Sequence, residues 1–247
     1  MSSSINAFTD KADLYSKYRP GYAPDFIRYL YSNIGFNTES CIADIGSGTG
    51  IFSRLLLEQN STVHAVEPNC SMRVVAEQDL SVFSTFYSVN ATGERTSLPD
   101  KSMDYITVVQ AFHWLDTDLF KAECKRILKP DGKVIVVYNR KKRDSLINRK
   151  QADLVKIYYP SHNDIINHWN LREDPVKNFF DNNYEFVTFE NDIINNIEEF
   201  VGRILSASFS KNDEQFISKV KDIFNEHARE GVVKIPNDTI AYIGNIH

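Results

Sequence analysis

The chain has 247 residues, 42% hydrophobic and 25% charged, which is the composition of a globular protein with room for a substantial core. Its net charge of −5 excludes whole-chain attraction to nucleic acid, and no apolar run approaches the roughly 18 residues that crossing a bilayer requires. The three cysteines, Cys41, Cys70 and Cys124, lack metal-binding spacing; with an N-terminus that has no signal pattern, they predict a cytoplasmic protein without disulfides.

In chain order, residues 24–33 read as a helix, 41–45 as a short buried strand and 51–59 as a helix. Residues 62–66 form the next strand, and a helix begins over 71–77 with Ser71 as its N-cap. Strands follow at 86–89 and 105–109. A helix over 119–128 is stopped by a turn at Lys129-Pro130-Asp131-Gly132, and 133–138 is a strand. This alternation of strand and helix predicts a parallel, doubly wound sheet. The basic run Arg140-Lys141-Lys142-Arg143, followed by Arg149-Lys150, reads as a solvated loop or helix start. Beyond it, 144–159 and 164–180 look helical, 184–190 alternates like a strand, 194–204 and 213–230 look helical, and 234–243 ends in a strand. These later helices are expected to pack over the open edge of the site as a cap. There is no internal repeat.

The segment Ala43-Asp44-Ile45-Gly46-Ser47-Gly48-Thr49-Gly50 joins the first strand to its helix through a turn with glycine at every second position. Such a turn lets a ligand lie against bare backbone. A dinucleotide fingerprint needs its last glycine where Ile51 stands, which disfavours NAD, and no Gly-Lys-Ser/Thr follows to make a phosphate loop. Asp44 before the turn and Glu67 at the end of the second strand point to a nucleoside of another kind. A carboxylate at the position of Glu67 can accept both ribose hydroxyls; the alternative is a solvent-facing strand end.

The segments YSKYRPGY (15–22), ADIGSGTG (43–50), HAVEPN (64–69), TSLPDKSMD (96–104), QAFHWLD (110–116) and ILKPDG (127–132), in that order, resemble a class I S-adenosylmethionine-dependent methyltransferase. More narrowly, they are similar to the small-molecule branch that includes trans-aconitate-type methyltransferases. The resemblance implies a Rossmann-like, doubly wound, seven-stranded, mostly parallel α/β sheet with its last strand antiparallel, plus a helical cap from the C-terminal half. It implies one methyltransferase domain over 1–247. The core would lie at about 35–140 with final strands at about 184–190 and 234–245, the N-terminal lid at about 8–33, and the cap at about 144–180 and 194–230.

Carried over by position, the resemblance implies that Asp44, Gly46, Ser47, Gly48 and Gly50 hold the methionine part of S-adenosyl-L-methionine. Glu67 would take the ribose, with Pro68 and Asn69 beside it and Met72 against the adenine. Thr92, Gly93 and Glu94 stand where the family recognises the adenine, and Gln110 and Ala111 where it contacts the methionine amino group. His113 and Trp114 follow and are expected to face the substrate. A histidine with a pKa near about 6.5 suits a general base, or alternatively shapes the pocket through a backbone contact. Trp114 is a packing wall or a cation–π platform. Tyr15, Tyr18 and Arg19 would form a lid, Arg19 serving either a substrate anion or a structural clasp. Further acceptor-pocket candidates are Tyr138, Arg140, Trp169, Arg203 and Ser206, with Arg203 alternatively making ion pairs along its helix.

The function expected is in-line methyl transfer to oxygen or nitrogen of a small-molecule acceptor, a carboxylate included, releasing S-adenosyl-L-homocysteine. No metal, nucleic acid or membrane is involved, and the protein is a monomer or weak homodimer. The alternatives are a catalytically silent S-adenosylmethionine-binding domain, a nucleic-acid or protein methyltransferase, and an NAD enzyme. An Asn-Pro-Pro-Tyr motif for amino methylation of nucleic acid is absent, Gln110-Ala111-Phe112-His113 standing in its place.

Overall fold

Short strands with apolar side chains toward both faces build the centre of the molecule, as a sheet covered by helices on each side demands. The computed structural model describes residues 12–160, 174–207, 210 and 213–246. Its main sheet contains β1 (Cys41–Ile45), β2 (Thr62–Val66), β3 (Phe86–Val89), β4 (Met103–Val109), β5 (Leu128–Lys141), β6 (Glu185–Glu190) and β9 (Asn237–Gly244). The strand order is β3-β2-β1-β4-β5-β9-β6. Pairing is parallel from β3 to β5, and β9 runs antiparallel to both its neighbours. The expected seven-stranded sheet with an antiparallel last strand is therefore present. The order reverses between β1 and β4, and the crevice beyond the carboxyl ends of those strands is where ligands bind in open α/β sheets.

On one face α2 (Pro24–Tyr29), α3 (Ile51–Leu57) and α4 (Cys70–Leu80) bury Phe26, Phe52, Leu56, Ala76 and Leu80 against Ile42, Val63, Ile135 and Val137. On the other, α5 (Thr117–Ile127) and α7 (Asp174–Phe179) bring Phe120, Cys124, Val176 and Phe179 onto Ile45, Ile106, Val108 and Val136. A third apolar cluster lies apart from both. It joins α6 (Leu146–Tyr158), α8 (Ile197–Leu205), α9 (Glu214–His227) and β8 (Val233–Ile235) through Ile147, Val155, Phe200, Ile204, Phe216, Phe224 and Val233. The N-terminal α1 (Ala12–Tyr18) docks on α8. The Tyr18 ring lies over Gly202, where an added Cβ would sit 2.6 Å from it. The Tyr18 hydroxyl and the Lys17 ammonium both reach Glu198, at 2.8 and 3.1 Å.

The structure corrects four local expectations. Helix α4 starts at Cys70, capped by Asn69, whose side chain accepts from Met72 N at 3.0 Å; Ser71 lies inside the first turn. The Lys129–Gly132 segment is a bulge within β5, since Met103 pairs with Leu128 and Tyr105 with Lys133. Residues 193–195, expected in part as helix, form β7 (Ile193–Asn195), which pairs with β8, and the residues before β9 are this separate strand. Helix α8 begins only after Asn196, which closes a capping box with Glu199. Of the expected helix over 164–180, residues 164–173, Trp169 among them, lie outside the described residues, and the described part holds α7.

Candidate active site

The glycine turn takes its shape from three left-handed residues, Gly46, Gly48 and Gly50, with φ of 65°, 58° and 81°. Two of them are packed tightly. A Cβ on Gly46 would meet the Ala111 Cβ at 2.6 Å, and one on Gly50 would meet Leu80 at 2.6 Å. Gly48 differs, because a Cβ there would have nothing within 4 Å. The turn thus presents one open backbone position between two closed ones. Across from it, Gln110 leaves the end of β4 at φ 58°, a strained conformation for a residue with a side chain, and this brings Ala111 down onto Gly46.

Asp44 is the next-to-last residue of β1, beneath the turn, and is 1% exposed. Its two carboxylate oxygens accept from Ser53 Oγ at 2.6 Å and Thr107 Oγ1 at 2.8 Å. Burial nevertheless lifts its carboxyl to about 6, against the pull of those two hydroxyls and with the help of the nearby Glu67 charge. Glu67 is itself buried, and burial raises it too, opposed by the amides of Asn69 and Gly48 and by Arg73. Its Oε1 accepts from Asn69 N at 2.7 Å and its Oε2 from Gly48 N at 2.9 Å. Each oxygen keeps a lone pair for a further donor. Two neighbouring carboxyl groups, both pushed up by burial, form an environment that favours a cation or hydroxyl donors.

A cavity of about 1360 Å³ opens on this turn, ample for a nucleoside and a second small molecule. Asp44, Gly46, Ser47, Gly48 and Gln110 share its wall with Tyr15, Arg19, His113, Tyr138, Arg140 and Arg203. Ser47 Oγ and Thr49 Oγ1, also on this wall, are buried without a hydrogen-bond partner. Open space at Gly48, unsatisfied hydroxyls beside it and a carboxyl displaced by burial fit the amino-acid end of the cofactor that the resemblance implies.

Other expected residues lie elsewhere. Gly50, Glu67, Pro68, Asn69, Met72, Thr92, Gly93, Glu94 and Ala111 are not on the cavity wall. Gly93 is wedged between Ile45 and Leu115, and Glu94 accepts from Asp116 N at 3.0 Å, bracing the loop before α5. Tyr18 is the clasp to Glu198 described above. Trp114 is 39% exposed and off the wall, its ring centroid 4.8 Å from that of His113. His113 sits on a short 3-10 turn, Phe112–Trp114. That turn is anchored by Phe112, whose ring packs edge-on against Phe179 at 5.1 Å and Phe120 at 6.3 Å. Tyr138 is half-buried, and burial raises its hydroxyl. Ser206 is fully buried, donating to Arg203 O at 2.7 Å, and so caps the end of α8.

Several residues of the site gave no sign of it in the sequence. Ser53 and Thr107 hold Asp44; Thr107 lies between Ile106 and Val108 of β4 and stands opposite Asp44 in register. Lys141 belongs to the basic run, yet it faces the cavity and donates to Gln151 Oε1 at 2.9 Å. Arg203 is buried, makes no ion pair along its helix, and shares the same Gln151 oxygen at 3.2 Å. Among the described residues no group of His, Cys, Asp or Glu could hold a metal, and no helix is long and apolar enough to cross a membrane.

Residues 43–136 match the methyltransferase domain family. A Dictyostelium discoideum protein named as a methyltransferase is 31% identical over 192 residues, which cover 74% of this chain and 68% of that protein. An uncharacterized methyltransferase of Mycobacterium tuberculosis is 31% identical over 133 residues, 54% of this chain and 52% of its own. The chain spans about half the length of this and other curated relatives it matches. Among solved structures, a chain described as a type II methyltransferase from Anaeromyxobacter dehalogenans aligns with a TM-score of 0.62 at 20% identity, over 93% of this chain and 98% of that one. The YcgJ protein of Bacillus subtilis aligns with a TM-score of 0.58 at 17% identity, over 90% and 97%. At such identities the likeness is one of fold.

Proposed function

The chain belongs to the class I S-adenosylmethionine-dependent methyltransferases, and from that premise we propose that it transfers the methyl group of S-adenosyl-L-methionine to oxygen or nitrogen of a small-molecule acceptor, a carboxylate oxygen included. The observation that carries this reading is a shared enclosure. The glycine turn with Asp44 and the polar residues His113, Tyr138 and Arg140 line one cavity, so cofactor and acceptor can meet away from bulk water.

In this reading Asp44 takes the ammonium of the cofactor's amino-acid tail, and Gly46, Ser47, Gly48, Gln110 and Ala111 take its backbone-facing side. Glu67 uses its remaining lone pairs on the ribose hydroxyls, with Pro68 and Asn69 at its side. The resemblance puts Met72, Thr92, Gly93 and Glu94 beside the adenine, outside the cavity wall. The cofactor, when bound, supplies a methyl group already activated by its positive sulfur. The chain's own work is then alignment, holding the acceptor atom at about 3 to 3.5 Å in line with the methyl carbon. His113 accepts the proton of a hydroxyl or amine acceptor; a carboxylate acceptor would leave it idle. Helix α1, clasped to α8 through Tyr18 and Glu198, closes the enclosure over Tyr15 and Arg19. The net charge of −5 speaks against nucleic acid as acceptor.

The test is incubation of the full chain with methyl-labelled cofactor and a panel of carboxylic acids, phenols and amines. Label transfer to a member of the panel is expected. Cofactor binding with no transfer to any of them would favour a silent binding domain.

A further inference from the structure

Three cations converge on the cap side of the cavity, and among the described residues no carboxylate is ion-paired to them. Lys141 ends β5, Arg203 lies on α8 and Arg19 follows α1, and all three line the wall. Gln151 of α6 links two of them, its Oε1 accepting from both Lys141 and Arg203. Arg19 rests against the Tyr15 ring, 4.6 Å from its centroid, and its guanidinium reaches only the Ser206 carbonyl, at 3.5 Å. Among the described residues none of the three has a carboxylate within ion-pairing distance. The Arg19 Nε, Arg203 Nε and Gln151 Nε2 are all buried and unsatisfied. Arg203 is 8% exposed and Gln151 3%, so these are not solvated surface groups.

Such an arrangement is unfavourable by itself. Burial depresses Arg203, to about 10, and the positive charge of Arg19 adds to the effect. Two nearby cations do find acids: Lys142 pairs with Glu190 and Asp238, and Lys150 with Glu226. Arg19, Lys141 and Arg203 have none among the described residues, and uncompensated charge of one sign gathered on a cavity wall, one member of it buried, marks a binding site for the other.

We propose that Arg19, Lys141 and Arg203, bridged by Gln151, form an anion pocket that takes a carboxylate or phosphate group of the methyl acceptor, making that acceptor an anion. The inference rests on the methyl-transfer reading for the word acceptor, but the pocket itself is defined by these residues alone. It also accounts for the polarity of the cavity: Asp44 at the glycine turn suits the cationic cofactor, and the three cations on the cap side suit a negatively charged partner.

The test is calorimetry on the full chain, with and without S-adenosylhomocysteine. Glutarate, its neutral diamide and inorganic phosphate are the probes, and wild type, Lys141→Gln and Arg203→Gln are compared. At least one anion is expected to bind saturably to wild type, with the diamide weaker by roughly tenfold or more. Each variant is expected to lose roughly tenfold or more in anion affinity while keeping its affinity for S-adenosylhomocysteine. The stronger of glutarate and phosphate identifies the anionic group. Three results would overturn the proposal: no saturable anion binding, equal affinity for glutarate and its diamide, or anion binding indifferent to Lys141→Gln. Loss of S-adenosylhomocysteine binding in Lys141→Gln would also overturn it, by giving the cluster to the cofactor's own carboxylate. Arg203→Gln removes a buried side chain and risks misfolding; Lys141→Gln, on the cavity wall, decides the matter by itself. Failure of wild type to bind S-adenosylhomocysteine would strike the methyl-transfer reading alone, because the anion titrations are read without it.

Discussion

Replacing Asp44 with Asn tests whether the glycine turn is strained for a ligand. Burial raises the Asp44 carboxyl from its ordinary value of 3.8 to about 6. The folded chain therefore holds this proton more tightly than the unfolded one, and stability falls as pH rises from about 4 to about 6. At about 1.4 kcal/mol per pH unit, the ionised carboxylate costs the folded protein about 3 kcal/mol at neutral pH. Asn keeps the shape, accepts from one of Ser53 and Thr107, donates to the other, and does not titrate. Above pH 7 the variant is expected to be more stable than wild type by up to about 3 kcal/mol, or roughly 6–12 °C in melting temperature for a chain of this size. The two melting curves should converge near pH 4. The variant should also lose S-adenosylhomocysteine binding, because the ammonium has no anion to meet. Wild-type affinity, in turn, should rise about tenfold from pH 5 to pH 7 as the carboxylate ionises. Melting curves that stay parallel from pH 4 to pH 8, or unchanged cofactor affinity in the variant, would refute the reasoning.

Gly46→Ala and Gly48→Ala should separate packing from binding. The first adds a Cβ 2.6 Å from Ala111 and should lower the melting temperature clearly; the second meets open space and should cost about 1 kcal/mol of stability while weakening cofactor binding, both read by melting and calorimetry. Equal losses of stability in the two would contradict the packing described here. His113→Ala should reduce turnover far more than cofactor affinity for a hydroxyl or amine acceptor; an unchanged rate removes it as base. Glu123 accepts from Thr96 N, Thr96 Oγ1 and Arg126, and although burial pushes its carboxyl up, these partners hold it below the ordinary range. That contribution to stability is present above the unfolded pKa and fades as pH falls through the folded one. Glu123→Gln should then cost about 1–3 kcal/mol in a denaturant titration at pH 7, with a smaller loss at pH 3.

The centre of the fold was legible because it obeys local rules. The runs that became β1 and β2 are short, largely apolar and followed by glycine or by acid and proline, and the run that became β4 ends in four residues, Ile106 to Val109, of which three are apolar. What was not legible depended on partners distant in sequence. Lys129-Pro130-Asp131-Gly132 has the chemistry of a turn, but pairing of Leu128 and Lys133 with β4 makes it a bulge. Ile193–Asn195 is too short to show a period and is a strand only because β8 lies beside it. Asn69 and Ser71 are both good caps, and only the backbone geometry chooses Asn69.

The site divides the same way. Asp44 and the glycines could be read directly, since their backbone demands are local. Glu67 could be read as a carboxylate at a strand end, but not its two bonds to backbone amides. Lys141 was hidden within a run of charges that looks like surface, and Arg203 behind two glutamates that looked like its ion-pair partners. Both are drawn together by Gln151 of α6, 10 positions from Lys141 and 52 from Arg203.

The most direct measurement is a crystal structure of the full chain with S-adenosylhomocysteine. The account predicts nucleoside density over the turn at Gly46–Gly48, its amino group at Asp44 and its sugar at Glu67. Density for that nucleoside at any other place, or none at saturating concentration, would contradict it.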